Sequence, residues 1–588
     1  MYNIRLIFLI GLIIFCSLKQ IAAQVNYLNR LELNDTSKID IPRWEKEGTS
    51  LKVSFGSIDE SYRRNCVPET NLSSQIKLTA WKGERVNLQV LLWSLQNLKN
   101  ITITPKDLTF KKNKISHEFI NVYPVRYVLT DLFLNGCGYR KNDTIPFSLA
   151  PDMLATDETF SITGKSTRPI WISINVPADA KNGTYNGVIE IKAKGRFKRR
   201  LHYTLDVQNW VLPKPADWSF HLDLWQHPWA ISRFEKVKLW SEEHWDALRQ
   251  NLTMLAEAGQ KCITTTIIND PWGGQTFDPY GSMVEWRKTT DGSWVYDFTL
   301  FDQWVEFAMS CGIKEQINCY SMIPWSNAFQ YFDEESNSLK VLKAEPGSEA
   351  FNNHWRPFLL AFREHLQNKG WLNMTCIAMD ERNIKDMLNM INLIKEATPE
   401  LKIAFAGNVH PELINEVYDL CTFIDPAIDS ASLAQRLKKQ RPSTFYVCCS
   451  KPQHPNNFTF SPAAENTLMG WYAAATGYNG FLRWAFNSWG KDPERDSRFT
   501  AWPAGDTYLV YPGARSSIRF ERLREGIQDF EKIRILKQTL QKDNSEMANA
   551  KLIQLSSLLK TFTLTSVTAD SAADLVNNAK ELLNELSK

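Results

Sequence analysis

Two adjacent acidic residues, Asp380 and Glu381, end an apolar run that begins at Cys376 and reads CIAMDE. Two neighbouring carboxyl groups tend to hold one proton between them, because close negative charges disfavour double ionisation. One member can then protonate a leaving oxygen while the other stays ionised, which is the chemistry that cleaves an acetal through a cationic transition state. The same dipeptide could instead begin a solvated loop or cap a helix, so its position in the fold decides between these interpretations.

If the run is a strand, Ile377 and Met379 share one face and Asp380 lies on the other. We expect the apolar pair to face helices, which directs Asp380 to the interior of a barrel. Glu381 would then face outward, unless the chain leaves regular strand geometry at that point.

Other apolar runs end in aromatic, amide or imidazole side chains. Aromatic faces and such donors are what a sugar ring and its hydroxyl groups require, although single examples often serve the core. With the alternation used above, Asn318 also faces inward, and the predicted substrate-binding residues are Trp225, His227, Tyr320, Asn408, Tyr446, Trp484, Asn487 and Trp489.

Eight candidate strands alternate with helical patterns in the second part of the chain. This alternation predicts a (β/α)8 barrel, whose functional residues lie at the carboxyl ends of the strands. An open doubly wound sheet is the structural alternative, and the count of eight disfavours it. The predicted strands are Phe220–Gln226, Cys262–Ile268, Gln316–Met322, Cys376–Glu381, Lys402–Asn408, Cys421–Asp425, Thr444–Ser450 and Gly480–Trp489.

The first part of the chain has short runs of alternating polarity, broken by turn residues such as Asn-Gly. This pattern predicts an antiparallel β-sandwich, and Pro213-Lys214-Pro215 suggests a domain boundary. We therefore expect a signal peptide over 1–23, a sandwich over 24–215, a barrel over 216–540 and a helical segment over 541–588. Within the barrel, Val284–Phe298 is predicted to be an inserted hairpin that turns at Asp291-Gly292.

The amino terminus has the features of a secretory leader. Arg5 precedes the apolar stretch Leu6–Phe15, and Ala22-Ala23 offers small residues for cleavage. The apolar run is short for a membrane span. The bulky Phe15 before Cys16 argues against lipidation, so we predict an exported protein, periplasmic or secreted, with no integral membrane segment.

Composition and motifs exclude several function classes. A formal net charge of +3 in 588 residues does not indicate a nucleic-acid partner. The cysteines are widely spaced, and the sequence has no HExxH, Walker, GxGxxG or GxSxG motif. We therefore predict no metal site and no cofactor. The 21 tryptophans are compatible both with sugar stacking and with ordinary core packing.

Several segments together resemble glycoside hydrolase family 123. The resemblance implies a β-sandwich followed by a (β/α)8 barrel, and a β-N-acetylgalactosaminidase that acts by substrate-assisted retention on a glycan or glycolipid with a terminal N-acetylhexosamine. It also implies that Glu381 is the general acid/base and that Asp380 orients the 2-acetamido group. The segments that carry it are LDLWQHP (222–228), AMDE (378–381), RWAFNSW (483–489), GDTYLVYPG (505–513) and RFERLREGIQDFE (519–531).

Within that scheme, we expect the Tyr446 hydroxyl to hold the acetamido carbonyl, with Trp484 or Trp489 beneath the ring. A different retaining glycosidase is the first alternative, with Asp270 or Asp425 as the carboxylate nucleophile. An exported carbohydrate-binding protein without catalysis is the second alternative. The intact acidic pair argues against the second.

Overall fold

The computed structural model describes residues 32–70, 72–132, 136–137, 147–157, 159–193, 197–500 and 502–588. The predicted leader over 1–23 lies outside these residues. Among the helices within the described ranges, none combines the length and the apolar character needed to cross a membrane.

The amino-terminal part is built from strands that form two facing sheets. Their inner faces carry apolar residues at every second position, such as Leu88 and Val90 on one sheet and Ile189 and Ile191 on the other, and these form one core. The strands are β1 (Lys52–Gly56), β2 (Gln75–Lys82), β3 (Arg85–Ser94), β4 (Leu98–Pro105), β5 (Leu108–Phe110), β6 (Asn113–Ile115), β7 (Ile120–Asp131), β8 (Phe147–Leu154), β9 (Phe160–Ile162), β10 (Ser166–Asn175), β11 (Gly183–Ala193) and β12 (Phe197–Val211).

The sheets have the strand orders β1-β3-β10-β7-β8 and β2-β12-β11-β4-β9, with β5 and β6 beside β11. The prediction of an antiparallel sandwich holds for the pairs in these sheets except β2 with β12, which run parallel. The reason is local. The chain turns at Gly83, with φ of 80°, and β3 joins the opposite sheet instead of pairing with β2.

The second part contains the barrel strands and two inserted hairpins. The strands are β13 (His221–Leu224), β14 (Cys262–Thr266), β15 (Glu285–Lys288), β16 (Trp294–Asp297), β17 (Gln316–Tyr320), β18 (Ala328–Asp333), β19 (Ser338–Lys343), β20 (Thr375–Asp380), β21 (Lys402–Gly407), β22 (Asp419–Phe423), β23 (Ser443–Tyr446) and β24 (Gly480–Arg483).

The helices are α1 (Ile41–Glu45), α2 (Pro228–Glu235), α3 (Glu242–Ala256), α4 (Thr299–Ser310), α5 (Glu349–Lys369), α6 (Ile384–Ala397), α7 (Ser430–Lys438), α8 (Ala463–Thr476), α9 (Ile518–Asp543), α10 (Glu546–Leu559) and α11 (Ala572–Leu586). Several begin with a side-chain cap that satisfies free backbone N–H groups. Ser348, for example, accepts from the N–H of Phe351 at the start of α5.

Eight parallel strands form a nearly closed barrel in the order β13-β24-β23-β22-β21-β20-β17-β14. Each strand lies beside the next one in the chain, and the last, β24, pairs with the first. This order excludes an open doubly wound sheet. The seam between β13 and β14 has a single backbone bridge, between Leu222 and Gln260.

The connections between barrel strands agree with the predicted alternation except between β21 and β22. That connection contains a short 3-10 helix, Pro411–Leu413, where a regular unit would have an α-helix. The predicted hairpin turning at Gly292 is confirmed as β15 and β16. A second hairpin, β18 and β19, was not predicted, and it extends the first into a four-stranded sheet.

Helix α9 lies between the sandwich and the barrel and is buried over most of its length. A helix in this position must pair its charged side chains, because an unpaired buried charge is costly. Its ion pairs with the sandwich hold the two parts together: Arg519 with Asp152, Arg522 with Asp59, Lys532 with Glu84 and Glu521 with Arg85. A disulfide also links Cys137, beyond β7, to Cys449, which follows β23.

Candidate active site

Asp380 is the last residue of β20, at the carboxyl end of the barrel. Ile377 and Met379 belong to the core between strands and helices, whereas Cys376 and Ala378 belong to an apolar cluster inside the barrel. The predicted alternation along this strand is therefore confirmed, and it places Asp380 on the interior side.

Glu381 leaves strand geometry, since its φ is 48°, in the left-handed region that non-glycine residues rarely adopt. Its N–H donates to the carbonyl oxygen of Ala406 on β21 at 2.7 Å. The neighbouring Gly407 allows this approach, because a Cβ there would lie 3.3 Å from the Glu381 Cα and 2.6 Å from the Phe405 ring. In a regular strand, consecutive side chains point to opposite faces of the sheet. The turn at Glu381 breaks this alternation, so the two carboxylates need not lie on opposite faces.

The surroundings of the two carboxyl groups differ. Burial and the adjacent Glu381 raise the pKa of Asp380 well above its usual value. Hydrogen bonds from the indoles of Trp325 and Trp272 act against this rise, because they stabilise the ionised form. Asp380 is therefore a carboxyl group whose protonation depends on the donors around it.

Glu381 is exposed to solvent and has a specific partner. The hydroxyl of Tyr446, the last residue of β23, donates to Glu381 Oε1 at 2.7 Å. Burial and the negative charge of Glu381 raise the pKa of Tyr446, so its hydroxyl keeps its proton. Sequence analysis predicted Tyr446 as a partner of a substrate carbonyl. In the structure, the hydroxyl donates to a carboxylate, and its contact with a substrate carbonyl stays a prediction.

An aromatic cluster fills the carboxyl end of the barrel beneath the acidic pair. The ring centroids of Trp225 and Tyr320 are 4.6 Å apart, and Trp272 lies 5.2 Å from Trp225 and 5.1 Å from Tyr320. Tyr280 adds a further ring, 4.6 Å from Trp272. Because Trp272 also lowers the pKa of Asp380, the cluster holds in place one of the groups that favour the ionised form of the acid.

Comparison with known proteins identifies this arrangement. The sequence model of the glycoside hydrolase 123 catalytic domain matches residues 225–536, which include both acidic residues, and that of the glycoside hydrolase 123 N-terminal domain matches residues 55–193. The chain belongs to glycoside hydrolase family 123. Its activity is therefore glycoside hydrolysis.

A solved family 123 glycoside hydrolase from Clostridium perfringens, studied for glycolipid glycan hydrolysis, is similar to the chain with a TM-score of 0.82 and 26% identity. The match covers 92% of this family 123 chain and 97% of that one. A GH5 xyloglucanase from Bacteroides ovatus matches 77% of the chain and 98% of its own length, with a TM-score of only 0.28 and 8% identity. No curated protein matched the chain.

Three of the predicted sugar contacts in the family 123 chain are structural residues instead. His227 caps α2, accepting from the N–H of Ala230, and its Nε2 donates to the carbonyl oxygen of Asp278 at 2.9 Å. The Asn487 amide bonds the backbone of His227, and the buried Trp489 indole donates to the Val510 carbonyl oxygen at 2.7 Å. Burial lowers the pKa of His227 to about 3, so this imidazole stays neutral.

The other predicted contacts lie nearer to the carboxyl ends of the strands. Trp225 and Tyr320 support the site from within the aromatic cluster, with 1% and 2% of their surfaces exposed. Asn408 is exposed directly after Gly407, beside the turn at Glu381. Trp484 is half-buried, and its ring lies 5.4 Å from that of Trp502. Asn318 lies deeper and donates to the Asp223 carboxylate.

The two tryptophans that favour ionised Asp380 were not predicted from the sequence. Trp272 and Trp325 lie in the loops after β14 and β17. The two loops are joined by a backbone hydrogen bond, in which the main-chain N–H of Trp325 donates to the carbonyl oxygen of Pro271 at 3.0 Å. Trp325 is 41% exposed, and the Arg382 guanidinium lies 5.7 Å from its ring centroid. A Pro-Trp pair in each of two successive barrel loops is the pattern that could have indicated them.

Proposed function

We propose that this enzyme releases terminal β-linked N-acetylgalactosamine by substrate-assisted retention, with Glu381 as general acid/base and Asp380 as the residue that orients the 2-acetamido group. The observation that carries the proposal is the unequal environment of two adjacent carboxyl groups. One is partly buried beside two indoles that favour its ionised form, and the other is exposed and accepts a hydrogen bond from a tyrosine hydroxyl. Different environments suit different roles for two acids.

In the first step, ionised Asp380 accepts a hydrogen bond from the acetamido N–H of the substrate. The acetamido oxygen attacks the anomeric carbon, the bond from that carbon to the leaving oxygen breaks, and Glu381 transfers its proton to the leaving oxygen. The product is an oxazolinium ion, whose charge lies beside the Asp380 carboxylate. The protein supplies no nucleophile, and orientation of the acetamido group accounts for much of the acceleration.

In the second step, Glu381 accepts a proton from water, whose oxygen attacks the anomeric carbon and opens the oxazolinium ring. Two inversions at that carbon leave the β configuration unchanged. The hydroxyl of Tyr446 holds Glu381 in one orientation through both transfers. It donates to a carboxylate oxygen, so it suits the stage at which Glu381 is ionised and acts as a base.

The protonation of Asp380 changes when substrate binds in this scheme. Without substrate, burial favours the protonated form of Asp380, whereas the role proposed for it needs the carboxylate. The acetamido N–H would add a donor to Asp380 and thereby favour its ionised form. Substrate binding would thus promote the ionised state of the residue that orients the acetamido group.

For the natural substrate, we propose a glycan or glycolipid with a terminal β-linked N-acetylhexosamine. The similarity to the Clostridium perfringens enzyme, described for glycolipid glycan hydrolysis, supports this class. We also propose that the enzyme is exported. The disulfide between Cys137 and Cys449 supports an oxidising compartment, where such bonds form and persist.

Hydrolysis of a panel of aryl β-glycosides that differ only at C2 and C4 tests the substrate. The proposal predicts turnover of the 2-acetamido galacto compound and almost none of the 2-hydroxy compounds, because a hydroxyl cannot form the oxazolinium ring. Equal rates on the two types would contradict it. A thiazoline inhibitor, which mimics that ring, should compete with substrate.

Variants test the assigned roles. Glu381→Gln should lower kcat/KM on the aryl substrate about 10²–10⁴-fold, the usual contribution of a positioned acid/base. Asp380→Asn should lose activity mainly in kcat, because the oriented acetamido group acts in the transition state. Asp270→Asn and Asp425→Asn are the matched controls. Loss of activity in either control, with activity retained in the acidic-pair variants, would favour a carboxylate nucleophile elsewhere.

A further inference from the structure

We propose that the base of the barrel holds a divalent transition-metal ion of the zinc class, bound by His221, Cys262 and Asp419. These are the first residues of β13, β14 and β22. The site is therefore at the opposite end of the strands from Asp380, and it does not depend on the function proposed above. Sequence analysis predicted no metal, because three ligands from separate strands leave no spacing motif.

The two distances from His221 to the other ligand groups are close to those of tetrahedral coordination. His221 Nε2 lies 3.2 Å from Cys262 Sγ and 3.5 Å from Asp419 Oδ2, and all three ligand atoms lie within 4.8 Å of one another. Zinc bonds of about 2.0–2.3 Å at tetrahedral angles separate ligand atoms by roughly 3.3–3.6 Å. Imidazole, thiolate and carboxylate are the three ligand types that zinc prefers.

The ligands are buried, with exposed fractions of 8% for His221, 0% for Cys262 and 5% for Asp419. A second layer orients one of them, since Gln316 Nε2 donates to Asp419 Oδ2 at 2.6 Å. Outer partners of this kind are a regular feature of metal sites, where they fix the ligand geometry. The site is therefore preorganised by its neighbours.

A cavity of about 600 Å³ at this end of the barrel has His221 and Gln316 in its wall. Of the three ligands, His221 borders this cavity, and water from it could supply a fourth ligand, as in zinc sites with three protein ligands.

The position of the ligands suggests what the metal does. His221 and Cys262 lie on the two sides of the β13–β14 seam, where the backbone provides a single bridge. Asp419 reaches them from β22 on another side of the barrel. The side chains of Gln226 and Gln260 hydrogen-bond the backbone across this seam, and an ion bound to all three ligands would add coordinate bonds at its amino-terminal end. We therefore assign the ion a structural role, in which it links β13, β14 and β22 at the base of the barrel.

The first test measures metal on the full-length wild-type protein. After incubation with Zn²⁺ and removal of free ion, elemental analysis should find about one zinc per chain, and a strong chelator should lower Tm reversibly. Replacement by Co²⁺ should give the near-ultraviolet absorption of a thiolate bound to cobalt. Less than about 0.1 zinc per chain, with a Tm that chelator does not change, would overturn the proposal.

Variants then locate the ion. Cys262→Ser and Asp419→Asn should abolish stoichiometric zinc and the cobalt–thiolate absorption. Cys319→Ser is the matched control, because this buried cysteine lies in the core between strands and helices and should leave both signals unchanged. Full zinc content in Cys262→Ser would place the ion elsewhere and contradict the proposal. If a variant fails to fold, the chelation and cobalt measurements on the wild-type protein still decide whether it binds the ion through a thiolate.

Discussion

Substituting Trp272 with phenylalanine removes one donor from Asp380 while keeping an aromatic ring in the cluster. The indole hydrogen bond opposes the rise in pKa that burial and Glu381 impose on Asp380. A hydrogen bond to a charged group contributes about 1.5–3 kcal/mol. Because Asp380 retains some exposure to solvent, we take the lower value, which corresponds to roughly one pKa unit.

The direction of the change follows from the role proposed for Asp380. Catalysis needs this carboxylate ionised, so activity is present above its pKa and is lost as the pH falls through it. Removing a donor raises that pKa, and the acidic limb of the kcat/KM profile of Trp272→Phe should therefore move upward by about one pH unit. The assay is hydrolysis of an aryl β-N-acetylgalactosaminide over the acid and neutral range.

Trp229→Phe is the control, because its ring packs on Tyr280 with centroids 5.4 Å apart and shares the same surroundings. Its acidic limb should match that of the wild type. Trp325→Phe, which removes the other donor, should shift the limb in the same direction as Trp272→Phe. An acidic limb that stays in place in both donor variants, or that moves to lower pH, would refute the reasoning.

Three further substitutions test other parts of the structure. Tyr446→Phe should lower kcat/KM about tenfold with unchanged circular dichroism, because Glu381 loses the hydroxyl that orients it; wild-type kinetics would contradict this role. Arg519→Met should cost about 3 kcal/mol in urea unfolding, because the buried Asp152 loses its ion-pair partner and keeps the Tyr511 hydroxyl as a donor; a change below ~1 kcal/mol would be inconsistent with that pair. Gly526→Ala should lower Tm, because the new Cβ would lie 2.2 Å from a backbone oxygen of α8; overpacking costs about 1–3 kcal/mol, and an unchanged Tm would show that the helices separate freely.

Much of the fold could be predicted from runs of apolar residues in the sequence. All eight barrel strands overlap their predicted ranges, and the inserted hairpin turns at Gly292. The position of Asp380 was also predictable, because alternation holds along the whole of β20. These features depend on local patterns of residue polarity, which the sequence contains.

The errors arise where a strand ends sooner than its apolar run. Strand β24 was predicted to continue to Trp489, but it ends at Arg483. The alternation of side chains along a strand therefore cannot predict where Asn487 and Trp489 point, and both residues are buried in the structure. His227 is likewise beyond β13 and caps a helix. Contacts between residues that are distant in the sequence could not be predicted either. Examples are the parallel pairing of β2 with β12 and the approach of the two loop tryptophans to Asp380.

The measurement that tests the proposed chemistry most directly compares aryl N-acetylgalactosaminides whose acetamido methyl group carries zero, one, two or three fluorine atoms. Fluorine withdraws electron density from the acetamido oxygen and weakens it as a nucleophile. If that oxygen attacks the anomeric carbon while Asp380 holds the N–H, kcat should fall steeply with each fluorine. A rate that is nearly independent of fluorination would contradict acetamido participation and place the nucleophile on the protein.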